Sequence, residues 1–152
     1  ATYWDCSLIG GLPFTHLTLT GGAIGSGPCL AVGAAVACPH RRVVNFQADG
    51  SALYSTPALW CQSREGLDVT TIICKNDAYR ILDVERATQG LGNGGSQSKR
   101  LTDLSGPSID WVSLARGYGV AGVSVKTAVE LRMALAESFR TPGPFLIEAC
   151  LV

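Results

Sequence analysis

Two short polar segments of this sequence have the residue types of a metal site. Asp49-Gly50-Ser51 follows an apolar, β-rich run at residues 43–47, and Asn76-Asp77-Ala78 follows a second such run at residues 69–74. Both runs predict buried strands, and open parallel sheets bind ligands beyond the carboxyl ends of their strands. A carboxylate and a carboxamide from neighbouring strand ends are oxygen donors that suit Mg²⁺, which also binds phosphate oxygens.

Each segment by itself also has a simpler interpretation. Asp-Gly-Ser after a strand is typical of a tight turn, and Asn76 alone is no more specific. In the ligand-binding interpretation, Gly50 lets the backbone approach a phosphate closely and Ser51 donates its hydroxyl. The two segments together, 27 positions apart, favour a metal site more strongly than either does alone.

The surrounding sequence predicts the elements that would position these residues. A glycine-rich loop at residues 21–28 precedes a stretch that is small and apolar on all sides, which predicts a buried helix over residues 29–38. Strands that alternate with helices imply an α/β fold with three layers, a central parallel sheet and helices on both faces. The remaining predicted elements are a short strand within residues 1–20, helices over 57–64 (N-cap Thr56), 110–118 and 127–140, and strands over 120–125 and 145–152.

Length and composition fit one domain over residues 1–152. Of these residues 47% are hydrophobic and 16% are charged, and the net charge is zero. A domain of this size buries about 68–70% of its unfolded surface, which is enough for a substantial core. Zero net charge argues against a nucleic-acid partner, which would need a basic surface. No apolar run approaches the about 20 residues of a membrane span, so no membrane association is expected.

The six cysteines contain no Cys-x-x-Cys pair, which argues against zinc. Most of them lie in apolar runs. We therefore expect buried free thiols and a cytoplasmic localisation.

Residues 87–108 differ in character from the rest of the chain. Five of them are glycine and several are serine. This composition predicts a long loop that is mobile in the absence of a ligand.

The order of these segments resembles the C-terminal, pyrophosphate-binding domain of thiamine-diphosphate enzymes. That family's motif is Gly-Asp-Gly followed, after about the interval seen here, by Asn. Residues 47–60 look like this motif in the acetolactate-synthase and benzoylformate-decarboxylase branch, and residues 21–33 and 109–148 are similar to its glycine-rich stretch and its end. The resemblance covers residues 17–152 and implies a parallel sheet of about six strands.

The resemblance implies a set of metal ligands. Asp49 and Asn76 would ligate Mg²⁺ through side-chain oxygens, and the backbone carbonyl of Ala78 would be the third protein ligand. Two neighbours depart from the family pattern: Ala48 replaces the first Gly of the motif, and Lys75 replaces a more usual Asn. Lys75 could lie near the phosphates or be a solvated lysine at a strand end.

The resemblance also implies how the thiamine diphosphate would be held. Gly50 and Ser51 would contact the diphosphate, and Tyr79 belongs with Ala78 to the cofactor-binding residues. Ile24 matches the apolar wedge that keeps the cofactor bent, and the backbone carbonyl of Gly22 would accept a hydrogen bond from its 4′-amino group. Each of these residues could instead be ordinary core or turn.

On the same resemblance, the chain is half of an active site. The family's activating glutamate belongs to a separate pyrimidine-binding domain that reaches the cofactor across a subunit interface, so no residue of this chain is expected to be catalytic. We expect a pyrimidine-binding domain or subunit as partner and a homodimer or higher oligomer. An exposed apolar surface around residues 21–24 and 50–54 would meet that partner.

Two functions remain open from the sequence. The first is half of the active site of a 2-oxoacid decarboxylase or carboligase, such as an acetolactate-synthase-like enzyme. The second is a non-catalytic, degenerate module that binds the cofactor or another subunit. A dinucleotide-binding protein is disfavoured, because the pattern that starts at Gly25 ends in Leu30 instead of glycine.

Overall fold

The sheet is parallel throughout. The computed structural model describes residues 13–18, 20–92 and 94–151. In these residues four strands pair in the order β1-β2-β4-β3, and each neighbouring pair is parallel. Their bounds are β1 Val43–Ala48, β2 Val69–Lys75, β3 Ala121–Val125 and β4 Phe145–Cys150. The predicted fold class is confirmed, but the described sheet has four strands instead of about six, and most of residues 1–20, where a further strand was expected, lies outside the described part.

Helices cover both faces of this sheet. On one face, α1, α2, α3 and α6 supply side chains to the cores around Val69 and Ile73 of β2. On the other face, α7 packs through Ala134 on Ile72 and Ile147. The helices are α1 Ser26–Ala37, α2 Asp49–Ala52, α3 Ala58–Arg64, α4 Arg80–Thr88, α5 Ser96–Thr102, α6 Trp111–Gly117 and α7 Ala128–Arg140, with 3₁₀ turns at Thr20–Gly22 and Leu53–Ser55.

Strand β2 is the centre of the fold because it is buried on both faces. Val69, Ile72 and Ile73 are at most 3% exposed, and the threonines between them are buried as well. Its register pairs Ile72 with Phe46 of β1 and with Ile147 of β4. This alignment places the ends of β1 and β2 side by side, which is where Asp49 and Asn76 follow.

Helix α1 is only half buried, in contrast to the prediction. Ala31 and Ala35 face the sheet, but Leu30 is 45% and Val36 is 61% exposed. Cys29 and Cys38 are also exposed, so the expectation of buried thiols is wrong for these two. The sequence pattern is apolar on every side of the helix, and the described residues cover only one of those sides.

The segment from Asp49 to Arg64 is more continuously helical than its sequence suggested. Thr56 was predicted as an N-cap, but its backbone is helical (φ −52°, ψ −32°) and Pro57 occupies the position before α3. A cap residue needs an extended backbone, which Thr56 lacks because α2 and a 3₁₀ turn run directly into it. Trp60 is 48% exposed and lies under the guanidinium of Arg64.

The glycine-rich segment 87–108 contains a helix, which corrects the prediction of a continuous loop. Helix α5 begins after Gly95 and ends at Thr102, whose side chain is buried. The backbone beyond it pairs with the turn that follows β2, since Ala78 and Asp103 form an antiparallel bridge. This tertiary pairing, absent from the local sequence signal, fixes where the helix ends.

Helix α7 begins with a complete capping box, as its sequence predicted. The Thr127 hydroxyl accepts a hydrogen bond from the backbone N–H of Glu130, and the Glu130 carboxylate accepts one from the backbone N–H of Thr127. Two backbone donors that the first helical turn leaves unpaired are satisfied in this way.

We predict that Thr127→Ala lowers the free energy of unfolding by about 1 kcal/mol, because one backbone donor of α7 loses its acceptor. Thr127→Ser, which keeps the hydroxyl, is the matched control and should retain most of the stability. Urea titration followed by circular dichroism measures both. Equal losses in the two variants would show that the methyl group matters instead of the cap.

Candidate functional site

The carboxylate of Asp49 joins the ends of β1 and β2. It is 1% exposed, and it accepts three backbone N–H bonds. Its Oδ1 accepts from Gly50 at 2.9 Å, and its Oδ2 accepts from Asn76 at 3.0 Å and from Asp77 at 2.7 Å. Asp49 forms no ion pair with any residue in the described part of the chain. Backbone dipoles alone therefore stabilise this buried charge.

The turn after β2 presents further oxygen atoms on one side. The backbone N–H of Tyr79 donates to the Thr102 carbonyl and that of Leu104 donates to the Asp77 carbonyl. In antiparallel pairing of this kind the residue between, Ala78, points its own N–H and C=O away from the partner segment. Its N–H donates to Oδ1 of Asn76 at 3.0 Å. The Ala78 carbonyl and the Asn76 amide oxygen thus lie on the same side of the turn.

Asp77 gives the turn its shape. Its φ is +52°, and among the described residues it is the one non-glycine residue with positive φ. Such a conformation costs an L-residue about 1–2 kcal/mol. Its side chain accepts a hydrogen bond from the Ser108 hydroxyl at 2.9 Å and faces Lys75. Asp77 therefore acts as the turn-forming residue, and its carboxylate is engaged away from Asp49.

Lys75 is part of a charged array beside this turn. Its Nζ lies 3.3 Å from Oε1 of Glu148 and 3.8 Å from Oδ1 of Asp77. The side chain of Glu148 is 8% exposed, and its contact with Lys75 is an ion pair without hydrogen-bond geometry. Lys75, 15% exposed, is therefore neither a solvated lysine nor free to bind a phosphate.

The glycine-rich loop before α1 is fastened to the other side of the site through Gly25. Its N–H donates to the Ser51 hydroxyl oxygen at 2.9 Å, and its carbonyl accepts from the Ser55 hydroxyl at 2.5 Å. The Ser51 hydroxyl in turn donates to Gln47 of β1. These bonds place Ile24, which is 50% exposed, beside the segment that follows Asp49.

An aromatic ring lies directly against Gly50. A Cβ added to Gly50 would stand 2.5 Å from Cε1 of Tyr79, so no larger residue fits without moving that ring. The other tyrosine of the site, Tyr54, is 65% exposed. The close approach to Gly50 was predicted for a phosphate, and in this structure the Tyr79 ring makes it.

Three pKa values near Asp49 are raised. Burial raises the pKa of the Cys74 thiol, and the negative charge of Asp49 raises it further. Burial likewise raises the pKa of the Tyr79 hydroxyl, with Tyr54 and Asp49 adding to the shift. Burial lowers the pKa of Lys75, but attraction by Glu148 and Asp77 outweighs it and leaves the value raised. At neutral pH the thiol and the phenol are protonated and the lysine is charged.

The predicted ligand set fits a hard divalent cation. Asp49, Asn76 and Ala78 bring one carboxylate, one amide oxygen and one carbonyl to the same strand ends, and these are the donor types of a magnesium site. No three His, Cys, Asp or Glu side chains of the described residues gather as a metal site, so a thiolate or imidazole centre is not formed there. Mg²⁺ prefers about six oxygen ligands, so three protein donors would leave coordination positions for phosphate oxygens and water.

The structure brings most of the predicted site residues together. Hydrogen bonds link Asp49, Gly50 and Asn76 in one cluster, with Ala78 and Tyr79 on the same turn. Ser51 reaches the loop of Gly22 and Ile24 only through Gly25. The sequence did not predict roles at the site for Gly25, Tyr54 or the partners of Lys75. The adjacent glycines indicate a turn at Gly25, whereas no local pattern indicates that Glu148 lies beside Lys75.

Comparison with known proteins matches this chain to one family. The model of the thiamine pyrophosphate enzyme, C-terminal TPP binding domain, matches residues 11–149. A Mycobacterium tuberculosis protein named "Putative acetolactate synthase large subunit IlvX" is 50% identical over 133 residues, which are 87% of this chain and 26% of that protein. Benzoylformate decarboxylase of Pseudomonas aeruginosa is 34% identical over 136 residues, 90% of this chain and 24% of the enzyme.

Solved structures agree with the sequence comparison. The thiamine diphosphate-dependent 4-hydroxybenzoylformate decarboxylase of Rhodococcus jostii superposes with a TM-score of 0.74 at 36% identity, over 82% of this chain and 22% of that one. Benzoylformate decarboxylase of Polynucleobacter necessarius gives a TM-score of 0.77 at 26% identity, over 93% and 26% of the two chains.

A parallel α/β sheet with polar strand ends thus defines the class, a cofactor-binding domain. The chain belongs to the family of the C-terminal thiamine pyrophosphate-binding domain of thiamine pyrophosphate enzymes, which confirms the resemblance. It spans about a quarter of the length of the curated relatives it matches. Within the described ranges, no helix has the length and apolar character needed to cross a membrane.

We predict that Gly25→Ala destabilises the protein by more than about 1 kcal/mol, because φ is +82° and the new Cβ would stand 2.4 Å from Cβ of Tyr54. Gly33→Ala is the matched control: it lies in α1 with nothing within 4 Å of an added Cβ. That change should stabilise by about 0.5–1 kcal/mol, since alanine favours a helix interior. Thermal unfolding of both variants checks the prediction, and a neutral Gly25→Ala would contradict the described loop.

Proposed function

We propose that this chain binds the diphosphate of thiamine diphosphate through Mg²⁺ and forms half of the active site of a 2-oxoacid decarboxylase or carboligase, such as an acetolactate-synthase-like enzyme. The observation that carries the proposal is the environment of Asp49. A buried carboxylate with three backbone donors and no cationic partner in the described chain is a site for a cation. The membership in a thiamine pyrophosphate-binding family supplies the ligand class.

The metal would be held by the three oxygen donors already named. Asp49 and Asn76 would contribute side-chain oxygens, and Ala78 its backbone carbonyl, which lies on the same side of the turn as the Asn76 amide oxygen. Mg²⁺ offsets the repulsion between the Asp49 carboxylate and the polyanionic diphosphate, since it attracts both. Cofactor binding on this chain should therefore require a divalent ion.

The remaining cofactor contacts would come from the glycine-rich loop before α1, from the segment after β1 to which Gly25 is bonded, and from Tyr79. We propose that Gly50 and Ser51 contact the diphosphate, with Tyr79 packed beside it. Ile24 would support the bent cofactor, and the Gly22 carbonyl would accept a hydrogen bond from the 4′-amino group. The exposed position of Ile24 supports this role, because an apolar wedge must reach out of the domain to touch a ligand.

When bound, thiamine diphosphate would supply carbanion stabilisation, and the protein would supply orientation and electrostatics. This chain's share is to fix the diphosphate end. The glutamate that activates the pyrimidine end is proposed to lie in a separate pyrimidine-binding domain. The buried Glu148 of this chain is paired with Lys75, which supports its exclusion from that role.

A partner would cover the apolar side chains that this chain exposes beside the site and along α1. Ile24 is 50%, Leu30 is 45%, Val36 is 61% and Tyr54 is 65% exposed. Contiguous apolar surface on a protein marks an interaction site. We propose that it meets a pyrimidine-binding domain or a second copy of the chain, in a homodimer or higher oligomer.

Two further expectations accompany this proposal. We expect segment 87–108 to be mobile without cofactor, hinged where Asp103 pairs with Ala78. We also expect a cytoplasmic protein, which the five free cysteines among the described residues support, because thiols persist in a reducing compartment.

We predict that Asp49→Ala abolishes the binding of thiamine diphosphate in Mg²⁺, and that Asp49→Asn weakens it by at least about tenfold, since the buried charge that attracts the metal is lost. Calorimetric titration with and without Mg²⁺ measures the affinities. Asp110→Asn is the matched control: asparagine caps α6 as well as aspartate does, and the Asp110 carboxylate accepts its hydrogen bonds from Ser113 instead of from the turn that holds Asp49. Metal-independent binding by the unmodified chain would overturn the proposal.

We further predict that this chain alone does not consume pyruvate, even when saturated with thiamine diphosphate and Mg²⁺. The activating glutamate is absent from the proposed half-site, and the half-exposed Ile24 leaves the cofactor's reactive end open to water. A coupled pyruvate assay beside the titration tests this. Sustained turnover would mean that the chain forms a complete active site, and binding without turnover after addition of a pyrimidine-binding partner would favour a non-catalytic module.

A further inference from the structure

The charged array around Lys75 adjoins the proposed metal site but belongs to none of its predicted contacts. Three charges are adjacent: Glu148 of β4, Lys75 of β2 and Asp77 of the turn. Nζ of Lys75 lies 3.3 Å from the Glu148 carboxylate and 3.8 Å from the Asp77 carboxylate. Glu148 and Lys75 are largely buried, at 8% and 15% side-chain exposure. Buried charges interact more strongly than exposed ones because water screens them less. This array therefore connects the sheet interior to the turn.

Asp77 is the residue through which the array reaches the site. Its backbone N–H donates to Asp49 at 2.7 Å, and its carbonyl accepts from Leu104 at 2.8 Å. Asp77 makes both bonds with its backbone in the left-handed region, at φ +52°, which an L-residue adopts at a cost. The side-chain contacts with Lys75 and Ser108 offset that cost, because they attach the carboxylate of Asp77 to fixed elements.

We propose that Lys75 is a positioning residue of the cofactor site. Its ammonium holds Glu148 and Asp77 together, and thereby keeps the turn that directs the Ala78 carbonyl and the Asn76 amide oxygen to the same side as Asp49. The role is one of geometry: the lysine contacts neither metal nor phosphate. The inference rests on the proposed function for the identity of the ligand, the cofactor with its metal. The geometry of the turn is present in the structure without that ligand.

Removing Lys75 has two separable consequences. In Lys75→Met the buried Glu148 loses its partner, which destabilises the whole fold. The turn also loses the cation beside Asp77. The double variant Lys75→Met with Glu148→Gln removes the first consequence, since no unpaired buried charge remains, but not the second. If Lys75 only neutralises Glu148, the double variant should show no remaining effect of the lost lysine. If Lys75 also positions the turn, the effect on the turn should remain.

The decisive readout is backbone hydrogen exchange in the protein without ligand. The N–H groups of Asn76 and Asp77 both donate to Asp49, and NMR resolves them in a 15.9 kDa chain. We expect exchange at both to rise about tenfold or more in the double variant, the size of effect that coupled neighbours show. Amides in the centre of β2 should keep their protection. Arg132→Met, at an exposed arginine of α7 on the opposite face of the sheet, is the control and should change neither.

Cofactor affinity completes the experiment. In Mg²⁺, the double variant should bind thiamine diphosphate about tenfold or more weakly than the unmodified chain, and Lys75→Arg, which keeps the charge, should stay within about threefold. Unchanged exchange at Asn76 and Asp77 would overturn the positioning role, even if affinity fell through loss of charge alone. Failure of the unmodified chain to bind the cofactor would instead count against the proposed function, while the exchange result would still decide the role of Lys75.

Discussion

The hydrogen bonds to the Asp49 carboxylate are the constraint on which the site depends. A buried carboxylate in a medium of low dielectric must be stabilised, and here three backbone donors from two strand ends do so. Because two of those donors belong to Asn76 and Asp77, the carboxylate fixes the turn after β2 relative to the end of β1. The parallel register, in which Ala48 lies opposite Cys74, brings these ends level. The positions of the amide and carbonyl oxygens follow from this one anchor.

Residue types and strand ends were enough to predict this part of the molecule. Asp49 and Asn76 follow two apolar runs, and parallel strands end on the same edge, so their proximity required no knowledge of loops. Gly25 could not be assigned in the same way, because its two hydrogen bonds join a loop to the helical segment of Ser51 and Ser55, and no pair of neighbouring strand ends indicates that contact. The predictions for Thr56 and for helix α5 were wrong for a related reason. The local sequence favoured a helix cap at Thr56 and a loop at α5, but tertiary contacts hold the backbone of both in a helical conformation.

The sequence of helix α1 predicts more burial than the described residues provide. Its twelve residues include no charged side chain, a pattern typical of a helix covered on every side. The described residues cover the side of Ala31 and Ala35 and leave Leu30 and Val36 in contact with water. The prediction of a buried helix and the half-exposed helix agree if further protein surface covers the outer side. That is consistent with the proposed partner and with a chain that spans about a quarter of its relatives' length.

The distribution of charge supports the proposal of a cation at Asp49. Two carboxylates are buried in the described part of the chain, Asp49 and Glu148. Glu148 has Lys75 at 3.3 Å, so its charge is already compensated within the protein. Asp49 has only neutral N–H donors, which orient toward it but leave its net charge in place. A divalent ion at this position would neutralise the charge of Asp49 and keep one positive charge to attract a diphosphate. The carboxylate would neutralise the single charge of a lysine placed there. The buried lysine of this chain is thus paired with Glu148, whereas Asp49 has no cationic partner in the described part of the chain, which supports the proposed metal site.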